Sequence, residues 1–160
     1  MKKMPITKTG FDKLKKELEY LKTVAIPENI RDIEEARAHG DISENAEYSA
    51  AKERQSFIHG KMQEIENNLA SSQIIDLKDL SDERVVFGAT ILIEDIQTGK
   101  EIKYQLVGPF ESDINKNKIS VTSPIGKAMI GKEVGDEVSF KAPGGIREFQ
   151  IVDIRIEDIP

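Results

Sequence analysis

The chain has 160 residues, with 23 Lys plus Arg against 29 Asp plus Glu, for a formal charge of −6 with both histidines neutral. That acidity excludes a protein that grips nucleic acid through its overall field, and the lack of cysteine excludes disulfides, thiolate metal sites and thiol nucleophiles. Charged residues at 32% and hydrophobic ones at 38% fit a soluble chain of one ordinary or two small domains. The basic residues Lys2 and Lys3 are not followed by an apolar run, and no stretch approaches the ~18–20 apolar residues of a membrane span. The expected setting is the cytoplasm.

The first 76 residues carry helical spacing. Phe11, Leu14, Leu18, Leu21 and Ala25 step three and four apart, as along the seam of a coiled coil. Ile26, Ile30 and Ile33 continue the stripe, displaced by one residue at Pro27, which should kink the helix or start a new one. Gly40 is a helix stop. Ala51, Ile58, Met62, Ile65 and Leu69 then mark one face of a second helix. Two amphipathic helices joined by so short a turn must run antiparallel, as a hairpin about 40 Å long. Large apolar residues fill its base. The tip offers only Ala36, Ala38, Ala46, Ala50 and Ala51, which predicts a thin end.

From Val85 the period becomes two. Val85–Ile93 reads as a strand, Gln97-Thr98-Gly99-Lys100 as a turn, and Ile102, Tyr104 and Leu106 as its partner strand. Ile119-Ser120-Val121 is short and extended, and Ser123-Pro124 can open a helix reaching Ile130. Val138–Phe140 leads through the hairpin turn Ala142-Pro143-Gly144-Gly145 to a closing strand, Phe149–Ile156. The expected fold class is α+β: a helical hairpin over 1–76, a polar linker over 77–84, and over 85–160 a small antiparallel sheet wrapped on a short helix.

The sharpest local feature is the tip itself, at about 38–48. Asp41 and Glu44 stand three apart at a helix start, where they can form a capping box, with Ser43 as an alternative cap. The two carboxylates can also present hard oxygen ligands to a divalent cation, although two are too few to hold Mg²⁺ without ligands from a partner. The readings overlap, since a cap uses only some of a carboxylate's lone pairs. Charge is sorted along the hairpin: residues 1–22 carry seven Lys against three acids, and residues 28–47 carry seven acids against two Arg. Arg37, Lys52 and Arg54 could form a small basic patch near the acids, suited to an RNA phosphate.

Other motifs carry less. Gly126–Glu133 has the spacing of a phosphate loop, but Glu133 replaces the Ser or Thr that would hold Mg²⁺ and would repel phosphate. Its glycines read better as turn residues. His39 and His59 stand apart from any Cys or further His and read as surface residues. Autonomous catalysis has no motif behind it.

Taken together, Ala36–Tyr48 followed by Ala50-Ala51-Lys52-Glu53 resembles the coiled-coil tip of the bacterial transcript-cleavage factors of the GreA/GreB family. Phe87-Gly88-Ala89, Ile119–Val121, Ser123–Lys127, Ile130–Lys132 and Pro143–Gly145 resemble that family's C-terminal domain. The resemblance implies a coiled-coil hairpin followed by a globular domain of FKBP-like topology, without prolyl isomerase activity. It implies RNA polymerase as partner, with the globular domain docked at the rim of the secondary channel and the hairpin passed down it. Asp41 and Glu44 fall on the family's acidic tip positions, where they would share a Mg²⁺ with the polymerase active centre and promote hydrolysis of the 3′ end of a backtracked RNA. No cofactor would be bound stably. Arg37 and Lys52 fall near positions associated with that RNA end, and Ser123, Pro124, Ile125 and Gly126 in the docking region. The expected protein is a monomer with no membrane partner and no strong nucleic-acid binding of its own. The alternative reading is a channel-binding regulator that leaves the transcript intact.

Overall fold

The computed structural model describes residues 2–41, 45–78 and 80–157. The chain divides into two compact units: Asp12–Ser71 form one, and Met1–Phe11 together with Ser72–Pro160 form the other.

The first unit is the helical hairpin. Helix α1 (Lys8–Tyr20) passes through a π-helical turn, Leu21–Ala25, into α2 (Ile26–Ala38), and α3 (Ala46–Ser71) returns. The wide turn has a local cause. Pro27 has no N–H to give to the carbonyl four residues back, and its ring crowds that carbonyl. The ladder widens instead, with the Ile26 N–H bonding back to the Leu21 carbonyl. The single-residue displacement of the apolar stripe is this turn. Partners across the hairpin descend on one side as they rise on the other: Lys22 with Glu66 at 3.9 Å, Asn29 with Ala51 at 2.9 Å, Asn45 with Ala36 at 2.6 Å. The helices are therefore antiparallel. Leu21, Ala25, Ile58 and Ile65 form the buried seam, with Leu14, Leu18, Ile26, Met62 and Leu69 packed against it. Each fully buried isoleucine contributes about 1.5–3 kcal/mol relative to exposure. Toward the tip only Ile33, Ala36 and Ala51 remain buried among the apolar residues described.

In the second unit, β1 (Met4–Thr7) pairs in parallel with β2 (Ser72–Ile75), two strands that the helical spacing of the flanking sequence conceals. The main sheet is built from β3 (Thr90–Asp95), β4 (Glu101–Val107), β5 (Lys118–Ser120), β6 (Glu137–Ala142) and β7 (Gly145–Arg155), in the order β5-β4-β3-β7-β6. All its pairs are antiparallel except β4 with β5, which is parallel. A register shift opposite Leu92 and Ile93 marks a bulge in the β3–β7 pair. One face buries Ile91, Ile93, Leu106, Phe149 and Ile151 under Met129 of the short helix α4 (Pro124–Met129).

The expected α+β class and the helix opened by Ser123-Pro124 agree with this arrangement. The strand expected from Val85 begins only at Thr90. Gly88 adopts a φ of +85°, and Val85 bonds instead to the loop at Gly131 and Lys132. A side chain at Gly88 would also collide with Leu77.

Candidate functional site: the hairpin tip and the Ser123 corner

Helix α2 ends as its sequence requires. His39 and Gly40 N–H groups fold back onto the Ala36 and Arg37 carbonyls, and Gly40 takes a φ of +112°. Asp41 comes next, exposed at the end of the hairpin. Ile42, Ser43 and Glu44 lie outside the described residues, so the Ser43 cap and the Glu44 ligand do as well.

Helix α3 is capped by a residue that the Asp41–Glu44 spacing had overshadowed. Asn45 Oδ1 accepts from the Tyr48 N–H at 3.0 Å, and its Nδ2 donates to the Ala36 carbonyl at 2.6 Å. One amide thus satisfies an orphan donor of α3 and a terminal carbonyl of α2. The Asp41–Glu44 capping box involves Glu44 and so lies outside the described residues, whereas the Asn45 cap lies within them. A signal was present: Asn directly before Ala-Glu-Tyr is itself a helix-start pattern.

Three side-chain contacts are made at and near the tip. His39 Nδ1 sits 3.1 Å from Glu47 Oε2, and the Arg37 guanidinium lies 5.9 Å from the centre of the Tyr48 ring. Lys52 Nζ donates to Gln55 Oε1 at 2.7 Å. Lys52 follows Ala51, the partner of Asn29, whereas Arg37 follows Ala36, the partner of Asn45. The two cations therefore stand about two helical turns apart along the hairpin. His59 is exposed on α3. A shallow depression of about 440 Å³ beside the tip is lined by His39, Asp41, Asn45, Ala46 and Glu47. Among the described residues no group of three or more His, Asp or Glu side chains converges as for a metal ion.

Further down, Asn29 is only 2% exposed and donates to the Ala51 carbonyl at 2.9 Å. A buried polar group that is satisfied in one alignment alone fixes the register of the two helices. No sequence spacing singled it out.

In the other unit, Ser123 caps α4. Its Oγ accepts from the Gly126 N–H at 3.1 Å and donates to the Ser120 carbonyl at 2.6 Å. Pro124 occupies the first turn, exposed, and Ile125 is half-buried. Gly126 is buried against the Ser120 carbonyl, where any Cβ would overlap it. Ser123 and Ile125 border a cleft of about 390 Å³ with Ser112, Asp113, Ile114 and Lys118, and Ile114 is 63% exposed. Gly126–Glu133 forms this short helix and the turn after it, with Gly131 at φ +84°, and not a phosphate loop.

Comparison with known proteins decides the family. Residues 4–74 match the family model "Transcription elongation factor, N-terminal", and residues 80–156 match "Transcription elongation factor, GreA/GreB, C-term". A transcription elongation factor GreA of Syntrophus aciditrophicus (strain SB) is 72% identical over 156 residues, spanning 98% of this chain and 97% of its own. The chain belongs to the GreA/GreB family of bacterial transcription elongation factors. The GreA of Methylococcus capsulatus is 54% identical, over 97% of this chain and 99% of that one. Among solved structures, the GreA factor homolog 1 (Gfh1) of Thermus thermophilus is 28% identical with a TM-score of 0.45, over 96% of this chain and 99% of that one. The segment matched by the N-terminal family model includes Asp41 and the whole hairpin tip.

Proposed function

We propose that this chain binds RNA polymerase and stimulates the polymerase's own Mg²⁺-dependent hydrolysis of the 3′ end of backtracked RNA, thereby rescuing arrested complexes. The observation that carries the reading is an acid at an exposed tip. Asp41 is exposed at the end of a hairpin whose buried apolar residues there, among those described, are Ile33, Ala36 and Ala51. Such an end suits entry into a confined channel.

In this reading Asp41, with Glu44, completes a metal site that the polymerase already largely supplies. Hard carboxylate oxygens on an exposed tip fit that shared role. A metal held there lowers the pKa of a bound water and offsets charge on the scissile phosphate. The chain needs no catalytic site of its own. In the same reading Arg37 and Lys52 meet RNA phosphates, and the Ser123–Gly126 corner, in which Ser123 makes two hydrogen bonds, is the docking element.

The test uses a stalled, backtracked elongation complex in Mg²⁺, with RNA fragments resolved by length. Asp41→Asn is expected to lower stimulated cleavage at least about tenfold, the lower range for losing a group that supports a catalytic metal. It should displace a labelled wild-type competitor from polymerase as well as the wild type does. Equal stimulation by both proteins would remove Asp41 from the mechanism. Binding by the wild type without any cleavage would instead establish a regulator that leaves the transcript intact.

A further inference from the structure

Thr7 and Glu111, 104 residues apart in sequence, meet at the start of α1. Glu111 Oε2 accepts from the Thr7 N–H at 2.7 Å and from the Gly108 N–H at 3.1 Å, while Oε1 accepts from the Thr7 hydroxyl. That same hydroxyl accepts from the Gly10 N–H at 3.0 Å. Thr7 is therefore the N-cap of α1, and Glu111 holds the cap. Thr7 is 3% exposed, and Gly10 is buried.

Two glycines make room for this arrangement. A Cβ at Gly10 would overlap the Glu111 carboxylate, and a Cβ at Gly108 would overlap the Pro5 carbonyl. The carboxylate also sits where the helix dipole favours negative charge. Hydrogen bonds to an ionised acceptor are about twice as strong as neutral ones. All of these groups belong to the sheet unit, yet the helix they start continues to Tyr20 in the hairpin unit.

We propose that Glu111 is a positioning residue for the cleavage activity: it latches the Thr7 cap to the 108–111 turn and so fixes the base of the helix that leads toward the acidic tip. It touches no substrate. Its contribution is to keep the N-terminal segment seated, so that docking of the sheet unit constrains where α1 begins. The rate effect rests on the function proposed above. The latch itself does not.

The experiment has two arms on the full chain. In the first, amide exchange is followed by NMR at Thr7, Gly10 and Gly108. Glu111→Gln keeps the shape but removes the charge, and Gly10→Ala pushes the carboxylate away while raising helix propensity. Both are expected to speed exchange at these amides about tenfold, the effect of weakening hydrogen bonds to a charged acceptor. Asp41→Asn should leave them unchanged. In the second arm, the maximal cleavage rate at saturating factor should fall severalfold in both variants, with the half-saturating concentration unchanged.

Wild-type exchange in both variants overturns the latch, and wild-type maximal rates overturn its role in positioning. Should Glu111→Gln fail to fold, Gly10→Ala decides, because it favours the helix it perturbs. If the wild-type protein stimulates no cleavage, the proposed function and the positioning role fall together, and the exchange arm still decides whether the latch exists.

Discussion

At the tip one asparagine serves two helices. Asn45 gives α3 its cap and ties back to the Ala36 carbonyl of α2, so its removal affects both sides of the turn at once. Asn45→Ala is expected to destabilise the hairpin by about 0.5–2 kcal/mol, the range for losing a cap, read as a lower urea midpoint with the tip amides exchanging first. The acidic pair drew attention in the sequence because carboxylates at that spacing can do two jobs. Asn45, next to the pair, caps α3. Residues such as Asn29 and Glu111 were illegible for a different reason: their meaning lies in partners 22 and 104 positions away. No local pattern encodes that.

At the scale of elements, periodicity was a good guide wherever a face is buried along its length. The seam from Leu14 to Leu69 and the β3–β4 hairpin were legible for this reason. Elements defined by pairing alone were not: β1 and β2 are four residues each and carry no alternation of their own. The β3–β4 turn shows how one side chain organises a connection. Asp95 Oδ1 accepts from the Gln97 and Thr98 N–H groups at 2.9 and 3.2 Å, and Oδ2 accepts from Arg147 at 3.2 Å. Partial burial pulls its pKa upward, but the two amides and Arg147 outweigh it and hold the carboxyl below its ordinary value. A depressed folded-state pKa contributes stability above the unfolded value, and that contribution disappears as pH falls through the folded one. Urea midpoints measured at pH 7 and in the acid range should therefore differ less for Asp95→Asn than for the wild type.

Over the whole molecule, the sheet unit takes residues from both sides of the hairpin, Met1–Phe11 and Ser72 onward. The change of period near residue 76 was visible in the sequence, but the membership of the first strand in the unit beyond the hairpin was not. Gly108 tests this join directly. Gly108→Ala is expected to cost about 2 kcal/mol by overpacking against the Pro5 carbonyl, and to loosen the Met4–Thr7 strand before the main sheet in a hydrogen-exchange series. The parallel β1–β2 pair also sets an order of events during synthesis, when the chain leaves the ribosome from its amino end. Every residue of the hairpin seam has been made once Leu69 is added, whereas β1 lacks its full partner until Ile75 and Thr7 lacks its carboxylate until Glu111. The seam of the helical arm is therefore complete in the chain, and β1 has its partner, well before the carboxylate that holds the Thr7 cap has been translated.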